Sequence, residues 1–245
     1  RLSLRARGSD LSGAIHEFEA DMTQKPLLHR DDPDAAPLIG NIKVTREDWL
    51  NIALDVLIRD GVERVKVLAL AEAMRVSRSS FYWYFKSRQE LLDALLTRWE
   101  ETNTAGLIAQ AAAPAPRITG AVLNIFRCIA NPDLFNTALD FAIRDWARRS
   151  ETVRARMREG DATRVAALTA MFARYGCAEK EAVTRAKVLY YMQLGYDMAE
   201  PEESHAYRLT MTPEYLKVFT GQAPTEPEMA EFSDYSRRFW RDLAP

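Results

Sequence analysis

Runs of helical periodicity, each bounded by residues that cap or stop a helix, dominate this sequence. Thr45 and Asp48 have the spacing of a capping box, apolar residues then recur every three or four positions, and Gly61 follows as a stop signal. Ser87 and Glu90 begin a longer run in the same way. Glycine supplies only 10 of 245 residues, below the average share of roughly 7%, which disfavours a turn-rich β protein. The sequence therefore predicts an all-α fold.

Proline and charge patterns divide the chain into four predicted parts. Residues 1–42 hold three prolines and an acidic cluster, which predicts a largely irregular arm with one short helix. Residues 43–112 are predicted to form a first helical domain that ends in a long connecting helix. The prolines at 114 and 116 mark a boundary, and residues 113–199 form a second, larger helical domain. Residues 200–245 are predicted to be an added helical extension, with a short helix after Pro213 and another from about Pro227 to Trp240.

Composition limits the possible partners. The formal net charge of −2 gives no global case for nucleic acid, so any such case must come from a local patch. Two cysteines, Cys128 and Cys177, form no disulfide framework, and three dispersed histidines lack metal-ligand spacing, so we expect neither a metal nor a cofactor. No apolar run reaches the about eighteen residues of a membrane span, and no secretory signal is visible. The expected compartment is a reducing cytoplasm.

Residues 67–92 combine two short helices, a tight turn and a long capped helix, which is the pattern of a helix-turn-helix. Ser77 is predicted to cap the second short helix, which should end near Phe85. At 100° per residue, Phe81 and Phe85 share one face and are predicted to pack inward. Arg78 and Tyr82 share a different face, which is then available to the major groove of DNA.

Positive charge is concentrated on this same segment. No acidic residue lies between Glu72 and Glu90, although residues 43–101 as a whole carry equal numbers of acidic and basic side chains. The cations in that interval are Arg75, Arg78, Lys86 and Arg88. Such a local patch is what contact with phosphates requires, and Ser87 with the free amides of the following helix is a further candidate phosphate ligand.

The stretch from Leu70 to Leu92 resembles the DNA-binding region of the TetR family of bacterial transcriptional regulators. The motifs that carry the resemblance are Val76-Ser77, Phe81-Tyr82, Tyr84-Phe85 and Lys86-Ser87-Arg88. The resemblance implies an N-terminal helix-turn-helix DNA-binding domain followed by a larger helical effector-binding and dimerisation domain. It also implies a homodimer, usually a repressor, that leaves its double-stranded operator DNA when a small-molecule effector binds.

Carried over by position, the resemblance implies that Arg78, Ser79 and Ser80 face bases. It further implies that four residues face backbone phosphates: Tyr82, Tyr84, Lys86 and Arg88. The full predicted DNA-binding set is Arg75, Ser77, Arg78, Ser79, Ser80, Tyr82, Tyr84, Lys86, Ser87 and Arg88.

The sequence departs from the family pattern at four positions. The family usually has Gly at Arg75, Thr at Val67, His at Tyr84 and Lys at Arg88. Arg75 is strained if the turn needs a positive φ, because a side chain disfavours that region. Val67 can neither cap a helix nor donate to a phosphate, which puts that family contact in doubt. The other two changes keep an aromatic side chain and a cation.

The second domain is predicted to form the dimer contact and the effector site. Residues 188–196 are apolar nearly all round, and the preceding helix carries small residues at Ala162, Ala166 and Ala170. Two such helices from each subunit would make a four-helix interface, and a purely intramolecular core is the alternative. The candidate effector-binding residues are Phe126, Phe141, Arg144, Trp146, Tyr190 and Tyr191.

Two alternatives stay open in this domain and its extension. Arg144 either pairs with Asp140 on an exposed helix face or grips a ligand carboxylate. The aromatic tail either covers the effector pocket or extends the dimer contact.

The absence of any Gly-rich phosphate loop, nucleophile elbow or metal set argues against an enzyme. The function predicted from the sequence is a ligand-responsive transcriptional regulator. The alternative is a ligand- or partner-binding helical protein without sequence-specific DNA binding.

Overall fold

The computed structural model describes residues 44–199 and 201–240, and in these ranges the chain is helical without a strand. The predicted arm, with its short helix, lies outside the described residues. The α-helices are α1 (Arg46–Asp60), α2 (Val67–Met74), α3 (Arg88–Trp99), α4 (Ala105–Ala112), α5 (Ile118–Ala130), α6 (Thr137–Ala147), α7 (Glu151–Arg174), α8 (Glu179–Ala199), α9 (His205–Thr220) and α10 (Glu226–Ser236). Two 3-10 segments, η1 (Val62–Arg64) and η2 (Arg78–Trp83), flank α2, and a π segment (Glu100–Thr104) joins α3 to α4.

The two predicted capping boxes differ in the structure. The first is confirmed, because Thr45 N donates to Asp48 Oδ2 at 2.7 Å and Asp48 N donates to Thr45 Oγ at 3.1 Å. In the second, Ser87 Oγ accepts from Glu90 N at 3.2 Å, but the Glu90 carboxylate accepts from Lys86 N, one residue before the expected donor. Ser87 therefore caps α3, while the prediction of a complete box at this position is wrong.

The predicted long helix is continuous from residue 88 to residue 112 but widens at the π segment. This wider turn buries two polar side chains, Asn103 and Thr104. Asn103 Nδ2 donates to the Asn136 carbonyl at 2.9 Å, and Asn136 N donates back to Asn103 Oδ1 at 3.0 Å. Single π turns commonly mark functional sites in helices, and this one fastens the connecting helix to the start of α6.

The hydrophobic residues form two cores that do not follow the predicted domain boundary. The first core joins α1, α2, η2 and α3, and it also includes Leu139, Ile143 and Trp146 of α6. The second core lies among α4, α5, α7, α8 and the two tail helices. The N-terminal head, which we define as residues 44–99, is therefore packed directly on α6 rather than tethered by a linker.

The tail differs from its predicted form at both helices. A helix was expected only after Pro213, but α9 begins at His205, where Ser204 caps it, and continues through the proline. The last helix begins with a full capping box at Thr225 and Glu228 and ends at Ser236, four residues earlier than expected. Phe219 and Phe232 bury the tail against the second core.

In the ranges that the structure describes, no helix is both long and apolar enough to cross a membrane.

Candidate nucleic-acid interface and ligand cavity

The two phenylalanines of the head face inward, as the periodicity predicted. Phe81 and Phe85 are 0% and 1% exposed, and their rings stack with centroids 5.4 Å apart. Trp49 of α1 meets the Phe81 ring edge-on at 5.2 Å. This packing fixes η2 against α1, and it therefore sets which side chains of η2 remain on the surface.

The segment predicted as the recognition helix is a 3-10 helix and not an α-helix. Ser77 makes no capping bond, because its Oγ lies 2.7 Å from Ser79 Oγ, and the Ser80 hydroxyl donates to the Ser77 carbonyl at 2.8 Å. The Ser80 hydroxyl thus competes with backbone N–H groups for the Ser77 carbonyl, and such competition disfavours an α-helix. The prediction of an α-helix capped by Ser77 is wrong, although the segment lies where it was expected.

The outward surface of η2 carries the residues that the sequence assigned to DNA. Arg78, Ser79 and Tyr82 are exposed, and Ser80 is half-buried. Trp83, which the sequence left unassigned, is 80% exposed. Because most of this indole is left uncovered by the described residues, its surface is available to a partner.

Arg75 takes the left-handed conformation that its position in the turn requires. Its φ is 56° and its ψ is 42°, and its N–H closes α2 by donating to the carbonyls of Ala71 and Glu72. The expected strain at this position is therefore present. Val67 is the first residue of α2 rather than its cap, and Lys66, which takes the cap position, makes no side-chain capping bond.

Three exposed cations in and beside η2 lack acidic partners among the described residues. Arg75, Arg78 and Lys86 are exposed, and their side chains make no ion pair within residues 44–199 and 201–240. Glu90, the acid that ends this interval, is half-buried and turned toward the backbone of Lys86. Within residues 44–199 and 201–240, no ion pair therefore neutralises the positive charge of this surface.

Arg88 has a partner that the sequence did not predict. Its Nη2 donates to the Val62 carbonyl at 2.6 Å and its Nε donates to the Val65 carbonyl. These bonds tie η1 and the residues just before α2 to the first turn of α3. The helix dipole disfavours a cation at a helix N-terminus, but the two carbonyls stabilise Arg88 there, so no phosphate partner is needed to explain its position. Tyr84 is likewise half-buried and packed on the first core.

A buried polar cluster joins the connecting helix to the second domain, and we call it the junction cluster. Its members are Trp99, Thr104, Asp140, Arg144, Asp161, Arg164 and Tyr190. Arg164 is 0% exposed, and it donates to Asp140 Oδ1 at 2.8 Å, to the Tyr190 hydroxyl at 3.2 Å and to Thr104 Oγ at 3.0 Å. Gly160 lets the Trp99 ring approach α7, because a Cβ there would lie 2.9 Å from the ring.

The charges in the junction cluster stabilise one another. Burial alone would raise the pKa of Asp140, but the attraction of Arg164 and Arg144 and the hydrogen bond from Trp99 hold that pKa below its usual value. Burial raises the pKa of Tyr190. Asp140 and Arg144 do form the predicted i,i+4 pair, at 2.8 Å, but neither on an exposed face nor in a ligand cavity, since the Asp140 side chain is 2% exposed.

An open cavity of about 370 Å³ lies between α5, the C-terminal end of α8 and the tail. Its walls include Phe126, Gln193, Asp197, Arg208, Phe232 and Trp240. The tail thus forms one wall of this cavity. No signal in the sequence singled out Asp197 or Arg208, because the folded tail brings them together.

Of the six candidate effector-binding residues, only Phe126 lines this cavity. Arg144 and Tyr190 are held in the junction cluster, and Tyr190 also borders a small neighbouring void of about 20 Å³. Trp146 is buried in the first core, where it supports the head. Phe141 and Tyr191 do not line the cavity, and Tyr191 is 54% exposed. Within the described ranges, no group of His, Cys, Asp and Glu is arranged to hold a metal ion.

Comparison with known proteins identifies the head and the fold. Residues 50–95 match the family model of bacterial regulatory proteins, tetR family. The structure is similar to Salmonella enterica GusR, with 15% identity and a TM-score of 0.51 over 80% of this chain and 100% of that chain. It is also similar to Mycobacterium smegmatis AmtR, with 15% identity and a TM-score of 0.53 over 82% of this chain and 97% of that chain. At such low identity the two structures establish a shared fold. The family model adds that residues 50–95 of the head are similar to the matching region of bacterial regulatory proteins of the tetR family.

Proposed function

We propose that this protein is a ligand-responsive transcriptional regulator that binds operator DNA as a homodimer. The observation that carries the proposal is the surface of η2, where exposed cations without acidic partners lie beside small and aromatic side chains on a TetR-type head. Release of the operator by a small molecule would make the protein a repressor. Such a regulator acts in the cytoplasm, where its two cysteines stay reduced.

The proposed DNA contacts follow exposure and charge. Arg78 is the residue assigned to a base edge, because it is the exposed cation at the start of η2. Ser79 and Tyr82 are assigned beside it, and the 2.7 Å contact of Ser79 with Ser77 can be exchanged for contacts to DNA. Lys86 is assigned to a phosphate. Arg88 is left out of the proposed set, because its guanidinium is engaged by backbone carbonyls.

Arg78→Ala and Lys86→Ala test these two roles. On DNA from upstream of the protein's own gene, Arg78→Ala should cost about 1–3 kcal/mol and should relax specificity at one base pair. Lys86→Ala should weaken binding to specific and random DNA alike and lower the salt dependence by about one charge. Both effects are measured by fluorescence anisotropy at several salt concentrations. Equal losses on both DNAs for Arg78→Ala would reassign it to a phosphate, and unchanged binding of both variants would refute the interface.

An exposed apolar face on α7 and α8 supports the homodimer. Ala162, Ala166 and Ala170 are exposed along α7, and Val188 and Tyr191 of α8 are 49% and 54% exposed. Small residues permit close approach of helices, and exposed large apolar residues beside them are costly unless covered. A second copy of the chain, related by a two-fold axis, covers both helices at once.

Ala166→Glu tests this face by placing a charge at its centre. We expect the variant to be a monomer by light scattering after size exclusion, and to bind operator DNA more weakly because the two heads are no longer linked. Ala138→Glu is the matched control, since it introduces the same charge at an exposed alanine of α6. If the Ala166→Glu variant is still a dimer, the dimer interface does not include this face of α7.

The junction cluster supplies a physical route from ligand to DNA. The cavity residues Gln193 and Asp197 lie on the same helix as Tyr190, whose hydroxyl is bonded to Asp161 and Arg164. Arg164 in turn bonds Thr104 of the connecting helix. A ligand that moves α8 therefore moves the head. In the dimer this changes the distance between the two η2 segments, which must match the spacing of about 34 Å between successive major grooves of DNA. Tyr190→Phe should weaken the effect of ligand on operator affinity while operator binding itself remains.

A further inference from the structure

The ligand cavity contains a cation with an unpaired polar group. Arg208 of α9 lines the cavity, and its Nε is buried without a hydrogen-bond partner in the part of the chain that the structure describes. Its guanidinium carbon lies 5.0 Å from the centre of the Tyr196 ring, and no described carboxylate lies within ion-pair distance of it. A buried donor left unpaired is unfavourable, so a ligand that accepts from it gains affinity.

The nearby acids are already engaged with other groups. Asp197 accepts from Gln193 Nε2 at 2.8 Å, and the Tyr196 hydroxyl donates to Glu203. Burial raises the pKa of Asp197 to about 6, while the hydrogen bond from Gln193 and the charge of Arg208 act in the opposite direction. Because no described carboxylate lies within ion-pair distance of Arg208, a ligand anion beside it does not have to displace one.

The remaining walls are largely aromatic. The rings of Phe126 and Phe232 lie 6.3 Å apart, and Phe232 meets Trp240 edge-on at the same distance. Trp240 stacks on His205 with centroids 4.6 Å apart. Ring faces and edges arranged around a cavity favour a flat aromatic guest, which stacks on them and replaces water.

We infer that the cavity binds a small organic anion with a flat aromatic body, whose carboxylate accepts hydrogen bonds from Arg208. A cavity of about 370 Å³ has room for a body of roughly a dozen non-hydrogen atoms. This inference adds a ligand class to the proposed ligand response. Binding of the anion can be tested alone, and only its effect on DNA binding rests on the proposed function.

Three probes of one shape test the inference on the DNA-free protein. The probes are 2-naphthoate, 2-naphthamide and 2-naphthylmethylamine, and binding is followed by tryptophan fluorescence because Trp240 lines the cavity. We expect the carboxylate to bind about 10- to 100-fold more tightly than the neutral amide, and more tightly than the amine. Equal affinities, tighter binding of the amine, or no binding of 2-naphthoate at millimolar concentration would overturn the inference.

Arg208→Met removes the cation and keeps most of the side-chain volume. It should abolish the preference for carboxylate over amide, whereas Arg148→Met, an exposed arginine outside the cavity, should leave it intact. A carboxylate preference that persists in folded Arg208→Met would refute the role of Arg208. If that variant does not fold, the ranking of the three probes on the unaltered protein still decides. Because no DNA is present, a failure of operator binding would not change either result.

Discussion

The N-terminal head and the junction cluster keep their geometry by opposite means. The head buries apolar side chains almost exclusively, with Trp49, Phe81 and Phe85 at its centre. The junction buries charges, and Arg164 is fully enclosed although its Nη2 has no hydrogen-bond partner among the described residues. Apolar contacts tolerate small shifts, whereas buried charges are stable only while their partners stay within hydrogen-bond distance. The apolar packing of the head thus tolerates small displacements, and the junction is where a small displacement changes the energy most.

Of the changes predicted here, removal of one charge from the junction cluster should lower the free energy of unfolding most. Asp140→Ala leaves Arg164 and Arg144 without their shared carboxylate, and we expect it to destabilise the protein by about 3–5 kcal/mol. Asp145→Ala is a matched control, because Asp145 also pairs with the arginine four residues later but is exposed. The control should cost less than about 1 kcal/mol by urea denaturation. Similar losses in the two variants would mean that the cluster is solvated and holds nothing in place.

The same contrast explains what could be predicted from the sequence. The position of the head, its inward aromatics and its exposed cations follow from spacing within thirty residues, and they were predicted. The 3-10 form of η2 was not, because it depends on how three serine hydroxyls bond. The junction was missed because Asp140 is buried only by a partner on another helix, Arg164. One signal did exist, since Arg164 lies within the apolar stripe of α7, where an unpaired charge would be unstable.

The cavity could not be predicted at all from local patterns. Its charged residues, Asp197 and Arg208, come from α8 and α9, and the second of these helices begins at His205 although a helix was expected only after Pro213. A predicted start after Pro213 would have left Arg208 in a loop. Proline inside a helix is unfavourable, but α9 continues through Pro213 because Leu216 and Phe219 pack in the second core.

The pH dependence of stability should separate the cavity from the junction. Asp197 has a pKa raised to about 6 by burial, so its ionisation opposes folding at neutral pH, and this cost disappears as the pH falls from about 6 to about 4. Asp140 has a lowered pKa, so its contribution is favourable at neutral pH and is lost only at lower pH. Asp197→Asn should therefore raise stability by about 1–2 kcal/mol at pH 8, after allowance for water in the cavity, and the gain should shrink toward pH 4. A gain independent of pH, measured by thermal melting across this range, would contradict the assignment of the raised pKa to Asp197.

The smallest expected effect lies in the head, where one residue departs from an otherwise favourable local structure. Arg75 holds a φ of 56°, which a side chain disfavours, so Arg75→Gly should raise stability by about 0.5–1 kcal/mol once the greater chain entropy of glycine is subtracted. Ala73→Gly provides the control, since it places glycine two residues earlier, inside α2, and should cost about 1 kcal/mol. If Arg75 contacts a phosphate, the stabilised variant will also bind DNA more weakly and with a smaller salt dependence. A gain in stability with unchanged DNA affinity would show that the arginine has no phosphate contact, and a loss of stability would show that its side chain makes contacts that outweigh the strain.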